Sequence, residues 1–291
     1  MQTFSPAILE ELYGLQEALQ IDLTTVIKQF GGFYLDYGRS GCSIYADRGV
    51  MVRNYDNDPY AYEGRLVLFA PSDSGYASIG PSMQVTGRTD GINEKGLAMG
   101  YNFINRTHSK DGFMCNMIGR LILENCATVD EAIQLLKELP HRYSFTYVLA
   151  DQEQSGVIVE AAPHDFAIRY EPICTNHFET LTKQNRYRTD DSVRRKKLMT
   201  EATSTLQNGF DIYRLLNDKR HNIFSTNYGA WSGTIHTSLL QSSTRQMGFT
   251  LGSDRLPYMI DFGKWVAGDN LHVKQINGQL ETTRSFMNGP L

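Results

Sequence analysis

Only four cysteines occur in 291 residues (Cys42, Cys115, Cys126 and Cys174), and no two stand at CxxC spacing. That argues against a disulfide scaffold and against a thiolate zinc site. The seven histidines never fall at HxxxH or HxH spacing, so no metal-binding pair is written into one helix or strand, and no metal is expected. Long apolar runs are missing as well: nothing approaches the roughly 20 residues needed to span a bilayer. The first twenty residues carry Glu10, Glu11 and Glu17 instead of a signal-peptide core. Neither GxxxxGK[ST] nor a strand-to-helix GxGxxG is present, which removes the common phosphate cradles. Charge of one sign is lacking too, because 28 Lys and Arg stand against 32 Asp and Glu for a net −4. Nothing in that balance asks for nucleic acid or an anionic membrane. Arg194-Arg195-Lys196-Lys197 is the one basic run, and without interleaved aromatics it reads as a solvated helix face. Free thiols and no visible leader suit a reducing compartment, so the expected location is cytoplasmic.

What is present is an ordinary globular composition, 41% hydrophobic and 21% charged. Ser5-Pro6 reads as a helix start, and Ile8, Leu9, Leu12, Leu15 and Leu19 follow at helical spacing. Asp22 caps a second short helix. From residue 41 the period changes to short strands: 43–46, 50–53, 65–69 and 76–79, separated by turn residues such as Asp47-Arg48-Gly49 and Asp73-Ser74-Gly75. Two helices follow, the second opened by the capping box Thr128-Val129-Asp130-Glu131 and stopped at Pro140. Strands return at 145–149, 156–160 and 167–170, helices at 192–206 and 212–216, and a final hairpin pairs 233–240 with 246–251. This order fits antiparallel sheets covered by helices rather than a βαβ array. A single domain over 1–291 is expected, with 1–41 as a helical lead and 42–291 as the catalytic part.

Cys115, Cys126 and Cys174 lie in apolar pattern and read as small core residues. Cys42 differs. It follows Gly41, opens the strand Ser43-Ile44-Tyr45-Ala46, and stands one hairpin from Arg53 and Asp56. A nearby cation lowers a thiol pKa. If the Gly41–Cys42 bond were cut, the new α-amino group, with a reference pKa of about 7.7–8.0, would serve as base for its own side chain. On their own, Arg53 and Asp56 also read as a surface ion pair, and Asn102 and Asn176 as turn or strand-end residues.

Four segments in order, Gly41-Cys42-Ser43, Arg53-Asn54-Tyr55-Asp56, Asn93 to Phe103 and Cys174-Thr175-Asn176-His177-Phe178, resemble the N-terminal-nucleophile hydrolases. Within them the chain is similar to choloylglycine hydrolases (bile salt hydrolases and penicillin V acylases) and to acyl-coenzyme A:6-aminopenicillanate acyltransferases, most clearly from Gly41 to Leu198. The resemblance implies an α+β fold, an αββα four-layer sandwich with two antiparallel sheets between helical layers. It implies that Cys42 is the nucleophile, freed by self-cleavage after Gly41, that Arg53 stands beside it and that Asp56 binds the freed amine. Asn102 and Asn176 match the asparagines that orient substrate and form the oxyanion hole. The later active-site arginine falls on Arg194, with Arg195 next to it. Ser43 departs from the family's common Thr, and forty-one residues precede the cysteine, so activity should require processing.

The implied reaction is cleavage of a linear N-acyl amide through a thioester, without cofactor, by a protein that acts alone or as a homo-oligomer. Transfer of the acyl group to an amine is the alternative. Two other classes stay open: an uncleaved, silent relative acting as a scaffold, and a Cys–His thiol hydrolase using His177 or His236.

Overall fold

The computed structural model describes residues 1–33, 40–104, 109–185, 190–206, 208–229 and 232–287. Two helices lead, α1 (Pro6–Leu19) and α2 (Leu23–Phe30). The strands β1 (Ser43–Asp47), β2 (Val50–Asn57), β3 (Leu66–Phe69), β4 (Ser78–Met83), β5 (Gly87–Arg88), β6 (Asp90–Asn93) and β7 (Ala98–Phe103) follow. The helices α3 (Cys115–Asn125) and α4 (Val129–Glu138) separate these from β8 (Phe145–Ala150), β9 (Val157–Ala161), β10 (Phe166–Tyr170) and β11 (Ile173–Cys174). Then come α5 (Asp190–Thr203), α6 (Gly209–Asn217), β12 (Gly233–Gln241), β13 (Gln246–Leu251), β14 (Tyr258–Asp261) and α7 (Phe262–Val266).

Pairing is antiparallel throughout these strands. One sheet runs β11-β1-β2-β12-β13-β14, the other β10-β9-β8-β7-β6-β4-β3, with β5 added on β4. Three apolar layers hold the stack together. Ile44, Ala46, Met51, Ile79, Ile92, Val148, Ile158 and Leu240 fill the space between the sheets. Met99, Tyr101, Tyr147 and Val159 turn the other way, onto Met117, Ile118 and Leu121 of α3 and Leu136 of α4. Tyr45, Val52 and Leu239 pack on Met199 of α5 and on Ile212 and Leu216 of α6. The result is the αββα sandwich, and the period-two alternation of strand side chains is what makes each sheet two-faced.

The lead is part of this structure. Ile8 and Leu12 are buried, Ile8 inside the core that α3 shares with the strands. Arg120 of α3 grips Glu11 with two hydrogen bonds of 2.7 and 2.5 Å. Pro6 opens α1 as expected, although the Ser5 side chain caps nothing, whereas Asp22 does accept from the Thr25 N–H at 3.0 Å. Residues 34–39 of the expected lead lie outside the described residues. The capping box at Thr128 forms, its hydroxyl accepting from the Glu131 N–H at 3.2 Å. The structure departs from the sequence reading at β2, which continues four residues beyond Arg53 to Asn57, and after the final hairpin, where β14 and α7 are added.

Candidate active site

Strand alternation distributes the site over both faces of the first sheet. On β1, Ile44 and Ala46 look between the sheets while Tyr45 looks toward α6. On β2, Arg53 reaches across to the second sheet, whereas Asn54 donates to the Leu216 carbonyl of α6 at 2.8 Å. Cys42, immediately before β1, is 2% exposed and packs with Tyr55, Tyr62, Met83, Tyr228 and Ile235.

The Cys42 sulfur accepts from the Asp56 backbone N–H at 3.3 Å and lies 3.2 Å from the Ser40 hydroxyl. The Arg53 Nη2 stands 3.8 Å away. Burial pushes the thiol up, with Arg53 opposing and the Asp56 charge adding to the rise. Arg53 is itself sealed from water. It donates to the carbonyls of Thr89 (2.9 Å) and Tyr101 (2.5 Å) and to the Asp90 carboxylate (2.6 Å), and its guanidinium lies 4.9 and 5.0 Å from the ring centres of Tyr55 and Tyr101. Gly100 of β7 gives it room, since a Cβ there would sit 3.1 Å from the Arg53 Cδ. Burial works against ionisation of Asp90, but His236 and Arg53 hold its carboxyl well below the ordinary range.

Asp56 is on the opposite face of β2. Its Oδ1 accepts from the Thr234 hydroxyl at 2.6 Å, and its buried Oδ2 has no hydrogen-bond partner among the described residues. That open oxygen lies beside Gly41: a Cβ there would sit 2.7 Å from it. A larger residue at 41 would press on the carboxyl. Burial pushes the Asp56 carboxyl up to about 8, with Arg195 and the Thr234 hydrogen bond opposing.

Arg194 does not enter the site, and Arg195 takes the position expected of it. The Arg194 side chain is 47% exposed and binds Asp191 and the Asn222 carbonyl. Arg195 is buried, donating to the Cys42 carbonyl (2.7 Å), the Ser43 hydroxyl (2.6 Å) and Asn176 Oδ1 (3.1 Å). The reason is helical phase. Ser192, Arg195 and Met199 form the buried face of α5, and one residue back turns the side chain by about 100°. Met199, four residues on, was the available signal.

Asn102 and Asn176 lie together. Asn102 donates to the Cys174 carbonyl at 3.1 Å, Asn176 to the Phe103 carbonyl at 3.0 Å. In the continuous chain their amide groups are thus engaged by backbone, and Asn176 is tied to Cys42 through Arg195. Neither histidine singled out in the sequence has its recorded bonds at the sulfur. His177 meets the Ser192 hydroxyl at 2.8 Å, and His236 meets Asp90 at 3.2 Å. Sequence reasoning missed Asp90, hidden in Thr89-Asp90-Gly91, which reads as a turn. A cavity of about 260 Å³, lined on one side by Leu66, Phe249, Leu251 and Ile260 and elsewhere by Arg65, Lys274 and Gln275, shares Tyr62 with the Cys42 cluster. Among the described residues no grouping of three His, Cys, Asp or Glu side chains could hold a metal ion, and no helix is long and apolar enough to cross a membrane.

The family profile described as acyl-coenzyme A:6-aminopenicillanic acid acyl-transferase matches residues 45–256. No curated protein sequence matches significantly. Among solved structures, a mutant of conjugated bile acid hydrolase from Clostridium perfringens superposes with a TM-score of 0.60 at 14% identity, covering 84% of this chain and 99% of that one. A second variant of that enzyme gives a TM-score of 0.59 at 14% identity, over 85% and 99% of the two chains. Penicillin V acylase from Agrobacterium tumefaciens matches at 17% identity with a TM-score of 0.49, over 76% and 86%.

Proposed function

The chain belongs to the acyl-coenzyme A:6-aminopenicillanic acid acyl-transferase family, and from that premise we propose that it is a cysteine amidohydrolase activated by its own cleavage between Gly41 and Cys42. The observation that carries this reading is the open, buried Asp56 Oδ2 set against Gly41. A buried carboxyl oxygen without a hydrogen-bond partner is costly, and the ammonium group released at Cys42 is the partner that would answer it.

In self-cleavage the Cys42 sulfur attacks the Gly41 carbonyl and the peptide nitrogen leaves as the Cys42 amine. Water then hydrolyses the resulting thioester, leaving the lead with a carboxylate and Cys42 with a free thiol. In turnover that amine takes the thiol proton, the thiolate attacks the substrate carbonyl, and the leaving amine collects the proton. Arg53 favours the thiolate, Asp56 holds the amine, and Arg195 fixes the Cys42 backbone and Asn176. The amides of Asn176 and Asn102, turned from the carbonyls they now meet, are the side-chain donors proposed for the oxyanion; one such donor is worth roughly 3–4 kcal/mol. Water closes the cycle. The apolar side of the cavity beside Tyr62, formed by Leu66, Phe249, Leu251 and Ile260, favours an apolar acyl group on a small-molecule N-acyl amide.

Transfer to an amine is the second reading, favoured by the family's description as acyl-transferase. It differs only in what intercepts the thioester.

The test is N-terminal sequencing of purified protein, together with release of nitroaniline from a panel of N-acyl 4-nitroanilides. A new terminus at Cys42 and release of amine are expected. Cys42→Ala should abolish both, and Cys42→Ser should keep some cleavage with little turnover, because a hydroxyl is the weaker nucleophile at neutral pH. Full turnover by Cys42→Ala ends the proposal. Added hydroxylamine or an amino acid then separates the two readings by the share of acyl amide formed.

A further inference from the structure

His236 has work that the proposed mechanism does not use. It sits in β12 with zero exposure, next to a register irregularity. Thr234 pairs with Asp56 and His236 with Tyr55, so one strand spends an extra residue, Ile235, against its neighbour. Two residues apart on a regular strand face the same side. The bulge breaks that rule: Thr234 serves Asp56 on the helix side, while His236 turns between the sheets to Asp90. Bulges beside active sites re-aim side chains in this way.

Between the sheets, a single oxygen of Asp90 collects three donors: Arg53 Nη1 at 2.6 Å, the Thr89 hydroxyl at 2.8 Å and His236 Nε2 at 3.2 Å. An acceptor-only carboxylate fixes the tautomer, so Nε2 carries the hydrogen and Nδ1 accepts from the Tyr62 hydroxyl at 3.0 Å. Burial also lowers the His236 pKa, keeping the ring neutral. The ring stacks on Tyr55 at 4.9 Å and meets Phe249 at 5.0 Å.

We propose that His236 is a positioning residue: through Nε2–H it fixes the Asp90 carboxylate that holds the Arg53 guanidinium against Cys42, with Tyr62 locking the ring that does so. The inference rests on the hydrolase reading above. Its chemistry is the orienting logic by which a histidine ring nitrogen is set by the bond the other one makes. A guanidinium anchored at Nη1 by Asp90 and the Thr89 carbonyl and at Nη2 by the Tyr101 carbonyl has a single position. Loss of one anchor lets it drift from the sulfur.

Two substitutions separate this role from simple packing. His236→Phe keeps a ring against Tyr55 and Phe249 but has no N–H. His236→Gln loses the ring but offers an amide N–H where Nε2 stood. With a phenylacetyl 4-nitroanilide as probe, or the best substrate of the panel, His236→Phe should lose at least about tenfold in kcat with little change in KM. His236→Gln should recover most of that loss. A packing role predicts the reverse order, and a general-base role predicts that Gln fails as badly as Phe; either result overturns the inference, as does a wild-type kcat in His236→Phe. Should His236→Phe fail to fold, Tyr62→Phe carries the test: a kcat lowered by about two- to fivefold supports the inference, and an unchanged one overturns it. A wild-type chain that is neither cut at Cys42 nor releases amine from any probe removes the hydrolase reading and this inference with it. An active wild type beside a fully active His236→Phe removes the inference alone.

Discussion

Two buried arginines meet at Cys42, one from each side of the first sheet, and they are held in opposite ways. Arg53 comes from a strand and faces Asp90, with both side chains completely buried. Arg195 comes from a helix and faces Asp191, whose side chain is 55% exposed. The first ion pair is locked in a low-dielectric slot, where each charge depends on the other. The second is screened by solvent at its acidic end, and its remaining donors go to the Cys42 carbonyl, the Ser43 hydroxyl and Asn176. Arg53 thus acts on the sulfur and on the fold together. Arg195 acts on the geometry around the sulfur.

Removing each cation sharpens that difference. Arg53→Met strands a buried carboxylate, so it should cost about 3–5 kcal/mol of stability as well as activity, read as a large drop in thermal midpoint and loss of nitroaniline release. An unchanged midpoint would mean that the pair is not sealed. Arg195→Met leaves Asp191 free to hydrate. Its expected stability cost is smaller, about 1–3 kcal/mol for hydrogen bonds made by a charged group, while kcat/KM should fall roughly a hundredfold through misplacement of Cys42 and Asn176. Arg194→Met is the control, with kcat/KM within about twofold of wild type because the residue carries a solvent-exposed pair. Equal losses for 194 and 195 would break the assignment.

A pH-dependent effect lies in the two carboxylates, which are displaced in opposite directions. Asp56 is raised in the folded, uncut chain to about 8, against about 3.9 when unfolded. The folded state therefore holds that proton more tightly. The stability it confers is complete below the unfolded value and is lost as pH rises through about 4 to 8. Asp90 is depressed, so its contribution is present above about pH 4 and is lost only as acid is added. In the Cys42→Ala background, which should stay uncut, the thermal midpoint should decline from pH 5 to 8 by roughly ten degrees more than in Cys42→Ala/Asp56→Asn. Parallel curves would place the Asp56 carboxyl in its ordinary range.

Much of this was legible in the chain, and the losses follow a rule. Elements whose apolar residues repeat at a clean period were found nearly to the residue: α1 from Ile8 and Leu12, α4 from its capping box, and the β12–β13 hairpin from its alternation. The strand β2 was cut short at Arg53 because Asn54 and Asp56 look like the start of a loop. They are buried polar residues whose partners come from Leu216 and Thr234, more than 150 positions away. Asp90 was lost for the same reason, since only the facing sheet gives its carboxylate a purpose. Local pattern fails where function places polar groups in a core. On α5 the sequence points to Arg194 whereas the structure buries Arg195, because a polar helix with few apolar residues barely displays its phase.

The way α1 is seated also bears on what cleavage would leave behind. Hydrolysis of one peptide bond does not remove Ile8 from the core or undo the grip of Arg120 on Glu11. The lead would remain as a separate polypeptide, docked by the same burial that folded it, and the mature protein would be a two-chain complex descended from one gene product. Gel filtration would see no change in size, whereas a denaturing gel would resolve two bands, and an affinity handle placed before Met1 would still retrieve the catalytic chain.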